Sequence, residues 1–249
     1  RHEMAPLDLR NKCKEYALEC VETQKQDFIR FGVLGEWDRP YLTLRTEFEV
    51  KKLGIFGEMA KRGHIYKGLK TVYWCTHCET ALAEAEIEYA EKKSFSIYVK
   101  FPYVSEKKVT LPAGVDPKQA YSVIWTTTPW TLPSNVALCV NPNETYVKVQ
   151  HEGYTYYMAE ALVPTVLKEN YTIIESYKGK DLEYKEYVPL FNFVKPDKKC
   201  WYVTCDTYVT LTDGTGVVHT APAFGEDDAN VGRKYDLPFV QLVDSKGEM

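Results

Sequence analysis

Apolar positions along this 249-residue chain recur with two different periods, and the change of period falls near Lys70. In the first stretch Leu9, Cys13, Tyr16, Cys20, Phe28 and Phe31 lie three to four apart over most of 7–31, the spacing of one helix face. Pro6 suits the opening turn of that helix, and Gly32 suits its end. A second helix is predicted from Thr46, where Thr46-x-x-Glu49 has capping-box spacing. It runs through Leu53, Phe56, Met59 and Ala60 to a stop at Gly63.

From Lys70 onward short runs rich in Val, Ile, Thr and Tyr alternate with Gly, Pro and Asn. These predict strands at 71–75, 95–101, 121–126, 136–140, 146–150, 155–158, 171–176, 201–204 and 216–219. In 83–89 the residues Ala, Ile and Tyr alternate with Glu84, Glu86 and Glu88, which reads as a strand with one wet face. His151-Glu152-Gly153 between two runs suits a hairpin turn. Helices are expected in this half only at 160–167 and 226–235. The predicted class is α+β: a β-rich, barrel-like domain over 93–249, with a smaller partial α/β connecting region over 1–92.

Composition narrows this picture. A hydrophobic fraction of 45% and a charged fraction of 27% are those of a globular protein, and no apolar run approaches the ~18 residues of a membrane span. The first residues carry no signal-peptide pattern, and the cysteine count of 7 is odd, so reduced thiols or a metal site suit the cysteines better than a disulfide framework. Cys13, Cys20 and Cys139 fall on apolar positions and are expected in the core. A net charge of −4 argues against a surface that grips nucleic acid mainly through phosphates. It leaves room for a pocket that receives a single terminal nucleotide. The chain reads as an excised piece of a longer protein.

Two segments carry unusual chemistry. Ile124-Trp125-Thr126-Thr127-Thr128-Pro129-Trp130-Thr131-Leu132-Pro133-Ser134-Asn135 holds four threonines and two prolines. β-Branched residues favour strands and Trp fills cores, which is the plain structural reading. Pro129 and Pro133 remove ladder donors, however, so the strand must end near Thr128 and leave hydroxyls free to line a pocket. The second segment, Gly214-Thr215-Gly216-Val217-Val218-His219-Thr220-Ala221-Pro222-Ala223-Phe224-Gly225-Glu226-Asp227-Asp228, reads as turn, strand, loop and helix start. Asp227 and Asp228 fall in the first turn of that helix, where a carboxylate is favoured by the helix dipole. A carboxylate there also suits a ligand ammonium.

Together these segments resemble the editing insertion of the class I aminoacyl-tRNA synthetases that handle branched aliphatic amino acids. Trp125–Pro133 with Asn135 is similar to the threonine-rich peptide of the isoleucyl enzymes, since valyl and leucyl relatives usually carry Arg where this chain has Thr128. The Gly214–Asp228 pattern resembles the isoleucyl form as well. Phe31-Gly32, Trp37, Pro40-Tyr41, Val72-Tyr73-Trp74 and Thr80–Glu86 look like the region that precedes the insertion. The resemblance implies hydrolysis of valine wrongly attached to tRNA(Ile), with the mischarged 3′ end of that tRNA as partner. Asp228 would bind the α-ammonium and His219 would set the size limit. Trp125, Thr126, Thr127, Thr128 and Asn135 would line the site. The downstream return strand of the insertion is expected to be cut off after Gly247. The two segments should meet in one cleft.

Cys75-Thr76-His77-Cys78 supplies two ligands where a structural zinc needs four. Buried thiols and a redox pair remain alternative readings. The resemblance implies half of a zinc site, completed by a second Cys pair elsewhere in the parent enzyme. No His-x-Gly-His, Lys-Met-Ser-Lys-Ser or phosphate-cradling glycine motif occurs, so ATP and Mg chemistry is expected of the parent and no cofactor of this piece. A cytoplasmic monomer is expected. Two rival functions stay open: an RNA-binding or structural connector without hydrolysis, and a valyl-type editing domain that clears threonine.

Overall fold

The computed structural model describes residues 4–104 and 120–249. The chain forms two compact units, Arg1–Gly68 and Leu69–Met249.

The first unit holds two helices, α1 (Pro6–Arg30) and α2 (Thr46–Lys61), within a residue or two of the predicted spans. Both end in the same way. Gly32 N–H bonds Ile29 O and Val33 N–H bonds Phe28 O, while Gly63 N–H bonds Ala60 O and His64 N–H bonds Met59 O. These are Schellman ends, and both glycines take the positive φ that such an end requires. The start of α2 departs from the expectation. Arg45 is the N-cap and Thr46 is already helical, with no side-chain cap, so the Thr-x-x-Glu spacing is one residue out of phase with the cap. No residue of either helix is buried. Cys13 is accordingly exposed and Cys20 only half-buried, which corrects the core placement; Cys139 alone of the three is buried. A helix face has periodicity whether or not anything covers it.

The second unit opens with a small hairpin, β1 (Trp74–Cys75) against β2 (Thr80–Ala81). The expected strand at 83–89 is absent. Glu84–Glu86 form a 3₁₀ turn, in which the Glu86 carboxylate reaches back to accept the Ala83 N–H at 2.7 Å. The alternation had no neighbouring strand to pair with, and local capping took the backbone instead.

The body of the unit is two sheets. Strands β3 (Ile97–Pro102), β4 (Ala120–Thr126), β6 (Thr145–His151), β7 (Tyr154–Ala159) and β8 (Tyr171–Lys178) form one, in the order β3-β4-β7-β6-β8. Strands β5 (Ala137–Val140), β9 (Tyr202–Cys205) and β10 (Val217–Thr220) form the other, in the order β10-β5-β9. The class is α+β as expected, but the barrel-like arrangement is corrected to two separate open sheets. Parallel pairings β4–β7 and β5–β9 interrupt the antiparallel sequence, and neither order closes on itself. The predicted hairpin turn is present: Glu152 and Gly153 both have positive φ, as a two-residue type I′ turn demands, and His151 pairs with Tyr154.

Alternation along the strands gives each sheet two apolar faces. One cluster joins inward residues of both sheets, among them Phe101, Ile124, Leu138, Tyr146, Tyr157 and Val203. The opposite face of the three-stranded sheet meets the helix α4 (Glu226–Lys234) and residues 235–242 through Val136, Cys139, Val231 and Leu237. The outer face of the five-stranded sheet is capped by the short helix α3 (Val163–Leu167) through Val147, Val149, Met158 and Val163. The Gly214-Thr215-Gly216 turn makes a close contact between the sheets. A Cβ on Gly216 would stand 2.4 Å from the Ala159 Cβ, and one on Gly214 would press the Trp125 side chain at 3.3 Å. Both glycines also have positive φ, so sterics require them twice over.

Candidate active site

Strand β4 ends at Thr126, two residues earlier than the prolines alone dictate. The Thr126 hydroxyl accepts the Thr128 N–H at 3.0 Å and lies 3.2 Å from the Thr128 hydroxyl, so a side-chain turn breaks the ladder before Pro129 does. Ser94 Oγ donates to the Thr127 carbonyl at 2.9 Å. Pro129 then opens a 3₁₀ turn, Pro129–Ser134, at the position where its missing N–H costs nothing. Thr126 is buried, Trp125 half-buried, and Thr127 and Thr128 are exposed.

The turn rotates Thr131 back towards the sheet. Its hydroxyl donates to the Thr128 carbonyl at 2.9 Å and lies 2.9 Å from His219 Nε2 on β10. This contact spans 88 positions of sequence and brings the threonine-rich turn and the His219 segment together. His219 is 8% exposed, and burial pushes its imidazole down to about 4, so it is neutral near pH 7.

Asp228 follows Gly225, the N-cap of α4, by three residues, and its carboxylate folds back over the loop. Oδ2 accepts the Ala221 N–H at 3.3 Å, and a Cβ at Gly225 would lie 2.9 Å from the same oxygen. Burial pushes the carboxyl up to about 6. The Ala221 N–H and the nearby Tyr208 hydroxyl ease the charge, while Asp227 works against it. Tyr208 does this without a well-aligned hydrogen bond of its own. Among the described residues, no lysine or arginine is a cause of this carboxyl's shift.

Asn135 sits differently. Its Oδ1 accepts the Tyr187 hydroxyl at 2.6 Å and its Nδ2 donates to the Ala137 carbonyl at 2.8 Å. Both ends of the amide are engaged inside the fold, where they anchor the exit of the turn. Sequence reading passed over Thr131 and Tyr208. Thr131 was legible in principle, since Pro129 at the first position of a tight turn swings the third residue back by one turn. Nothing in the sequence marks Tyr208, which comes from the loop after β9.

Cys75 and Cys78 sit on the β1–β2 hairpin. The Cys78 N–H donates to Cys75 Sγ at 3.4 Å, and this bond is the main cause that lowers the Cys75 thiol pKa. The pair fits half of a tetrahedral thiolate site, and among the described residues no third His, Cys, Asp or Glu joins it. A cavity of about 260 Å³ beside α4, lined by Pro222, Ala229, Gly232, Leu237 and Phe239, holds none of the predicted residues. No helix among the described residues is long and apolar enough to cross a membrane.

Residues 1–218 match the family of class I tRNA synthetases (I, L, M and V), and the chain belongs to that family. Within it the chain is similar to the isoleucine–tRNA ligase of Carboxydothermus hydrogenoformans, with 50% identity over 99% of this chain and 26% of that protein. It is also similar to the isoleucine–tRNA ligase of Caldicellulosiruptor saccharolyticus, with 47% identity over 99% of this chain and 27% of the relative. The chain thus spans about a quarter of the length of the curated relatives it matches. Among solved structures it is similar to GlLeuRS-CP1, with TM-score 0.46 and 17% identity over 56% of this chain and 60% of that one. The editing domain of P. knowlesi cytosolic leucyl-tRNA synthetase follows, with TM-score 0.42 and 15% identity over 59% and 66% of the two chains.

Proposed function

We propose that residues 93–249 hydrolyse valine from mischarged tRNA(Ile), as the editing part of an isoleucyl-tRNA synthetase. The observation that carries this reading is the Thr131–His219 hydrogen bond, which joins the two motifs at one site next to the loop held by Asp228.

The chemical need is plain. Isoleucine and valine differ by one methylene, which a hydrophobic pocket converts into only about 1–3 kcal/mol, a limit for which isoleucyl enzymes are themselves the usual illustration. A second site that admits valine and excludes isoleucine removes the errors. Asp228 grips the α-ammonium through a charge-assisted hydrogen bond, and that cation repays the carboxylate's desolvation. His219, neutral and buried, sets the size limit. Trp125, Thr126, Thr127 and Thr128 line the ester and the terminal adenosine, and Asn135 holds their turn in place.

Water adds to the ester carbonyl, the acyl–oxygen bond to the ribose breaks, and the ribose hydroxyl leaves with a proton. The free amino acid departs as its carboxylate. An aminoacyl ester is labile, so positioning the water supplies much of the acceleration. In the full-length protein, ATP- and Mg-dependent isoleucine activation belongs to segments outside this chain, and Cys75 and Cys78 furnish half of a zinc site. We expect a cytoplasmic monomer.

Deacylation of Val-, Thr- and Ile-charged tRNA(Ile) by the full-length protein tests the reading. Fast release of valine with slow release of isoleucine is expected. Preferential release of threonine would make the site valyl-type, and release of none would make this region a connector.

A further inference from the structure

Two cavities of the second unit hold none of the residues placed in the editing site, and they share a wall. One, of about 260 Å³, is floored by Pro222, Ala229, Leu237 and Phe239. The other, of about 550 Å³, has Val194, Pro196, Cys200 and Trp201 in its lining. Lys198 lines both, so the two adjoin. Each offers one aromatic ring: Phe239 is 47% exposed and Trp201 is half-buried.

The rims are basic. Lys70 and Arg233 stand at the first cavity, Lys195 and Lys199 at the second, and Lys198 between them. Lys198 is paired with Asp236 at 2.6 Å and Lys199 with Glu186 at 2.8 Å. Among the described residues Lys70, Lys195 and Arg233 have no ion-pair partner. Even with the neighbouring Asp197 counted, cations exceed carboxylates here by two, in a chain whose net charge is −4. Uncompensated cations beside apolar floors and rings suit a groove that tracks a phosphate backbone and stacks bases. A duplex hides its bases, so only a single strand uses both features.

The walls also carry neighbours of the editing residues. Pro222 follows Ala221, whose N–H the Asp228 carboxylate accepts, and Ala229 follows Asp228. The Trp201 indole N–H donates to the Asn135 carbonyl at 3.2 Å. We propose that the two cavities form one groove for the single-stranded 3′ end of tRNA, in which Lys70, Lys195 and Arg233 hold phosphates and Phe239 stacks a base. The identity of the strand rests on the hydrolytic reading of the site, whereas the groove's affinity for single-stranded RNA does not. Contacts to phosphates and ring faces carry little base preference. The groove delivers the strand, and the site reads the amino acid.

The probe is a fluorescent single-stranded RNA of about eight nucleotides ending in CCA, within the span of one such groove. Its anisotropy with the 249-residue chain gives Kd and the salt dependence of Kd. Replacing Lys70, Lys195 and Arg233 together by Gln should weaken binding about tenfold or more. The slope of log Kd against log salt should fall by about two, since each single-strand phosphate contact contributes ~0.7. Removing equal charge from the first unit, with Lys12→Gln, Lys14→Gln and Lys51→Gln, should leave Kd within about twofold and the slope unchanged. Phe239→Ala should weaken binding about fivefold or more with the salt slope intact, and Phe239→Leu should do the same if the alanine variant fails to fold. Binding lost equally by both triple variants, or by neither, overturns the proposal, because net charge or another surface then holds the RNA.

In the full-length protein the groove triple should raise KM for Val-tRNA(Ile) hydrolysis and leave kcat nearly unchanged. Hydrolysis of valine esterified to adenosine alone, which cannot reach the groove, should be unaffected. Equal losses on both substrates would make these residues part of the scaffold and refute the groove. A parent protein that releases no amino acid from either substrate refutes the editing reading and with it the identity of the strand. RNA binding by the chain and its variants still decides the groove.

Discussion

The two units of this chain carry equally regular hydrophobic patterns and differ in what those patterns meet. In Arg1–Gly68, α1 and α2 are capped by paired Schellman ends, yet neither buries a single residue. Phe31 is 81% exposed and Leu53 is 69% exposed. In Leu69–Met249 the strands are shorter than either helix, but three apolar clusters pack against both sheets. Local propensity and caps suffice to shape a helix, while burial of apolar surface is what stabilises a fold. The first unit has the former and, within this chain, lacks the latter.

The largest test of this contrast separates the units. Residues 69–249 alone should unfold cooperatively with a free energy in the ordinary domain range of about 5–15 kcal/mol. Residues 1–68 alone should exchange their helical amides with little protection, because isolated helices are marginal in water. A sharp thermal transition for 1–68 would show that the first unit is held by packing of its own.

Single truncations should show the same asymmetry on a smaller scale. Leu138→Ala, at a fully buried position, should cost about 2–5 kcal/mol in denaturant unfolding. Phe56→Ala, on an exposed face, should move stability by no more than ~0.5 kcal/mol. Equal costs at the two positions would mean that α2 is buried after all.

Asp228 carries a cost of burial within the well-packed unit. Its carboxyl titrates near 6 in the fold against 3.8 ordinarily, so the folded state binds the proton more tightly than the unfolded one. Its contribution is therefore most favourable below pH 3.8 and is lost as pH rises through 6, a penalty on the order of 3 kcal/mol at neutral pH. Asp228→Asn keeps an acceptor for the Ala221 N–H and removes that penalty. It should raise the melting temperature at pH 7, with the gain shrinking towards pH 4, while Val-tRNA(Ile) hydrolysis falls on the order of 10²-fold. A variant that is both less stable and inactive would make Asp228 a structural helix-start residue.

The smallest expected effect is at His219. Its lowered pKa gives the opposite sign: stability present above pH 6.5 is lost as pH falls through 4. His219→Ala should reduce this acid sensitivity and lower valine clearance only modestly, while isoleucyl-tRNA becomes a better substrate. Abolished hydrolysis without any gain on isoleucine would exclude the size-limit role.

Local sequence dictates the helices of the first unit, their glycine ends, the α+β class, most of the strands and the type I′ hairpin. Each of these depends on neighbours within a few residues. It also marked the threonine-rich run, His219 and Asp228, because prolines and a helix start leave local signatures. Tertiary structure decided the rest. Whether an apolar face is covered depends on distant partners, which is why Cys13 proved exposed and Cys139 buried. Whether an alternating run becomes a strand depends on a pairing edge, which Ala83–Tyr89 lacked. That the strands form two open sheets with the parallel pairings β4–β7 and β5–β9 depends on contacts between distant segments, which no local pattern encodes. Asn135 turned inward to Tyr187 and Thr131 turned towards His219 for the same reason: a side chain's hydrogen-bond partner is chosen by the approach of chain segments 52 and 88 positions away.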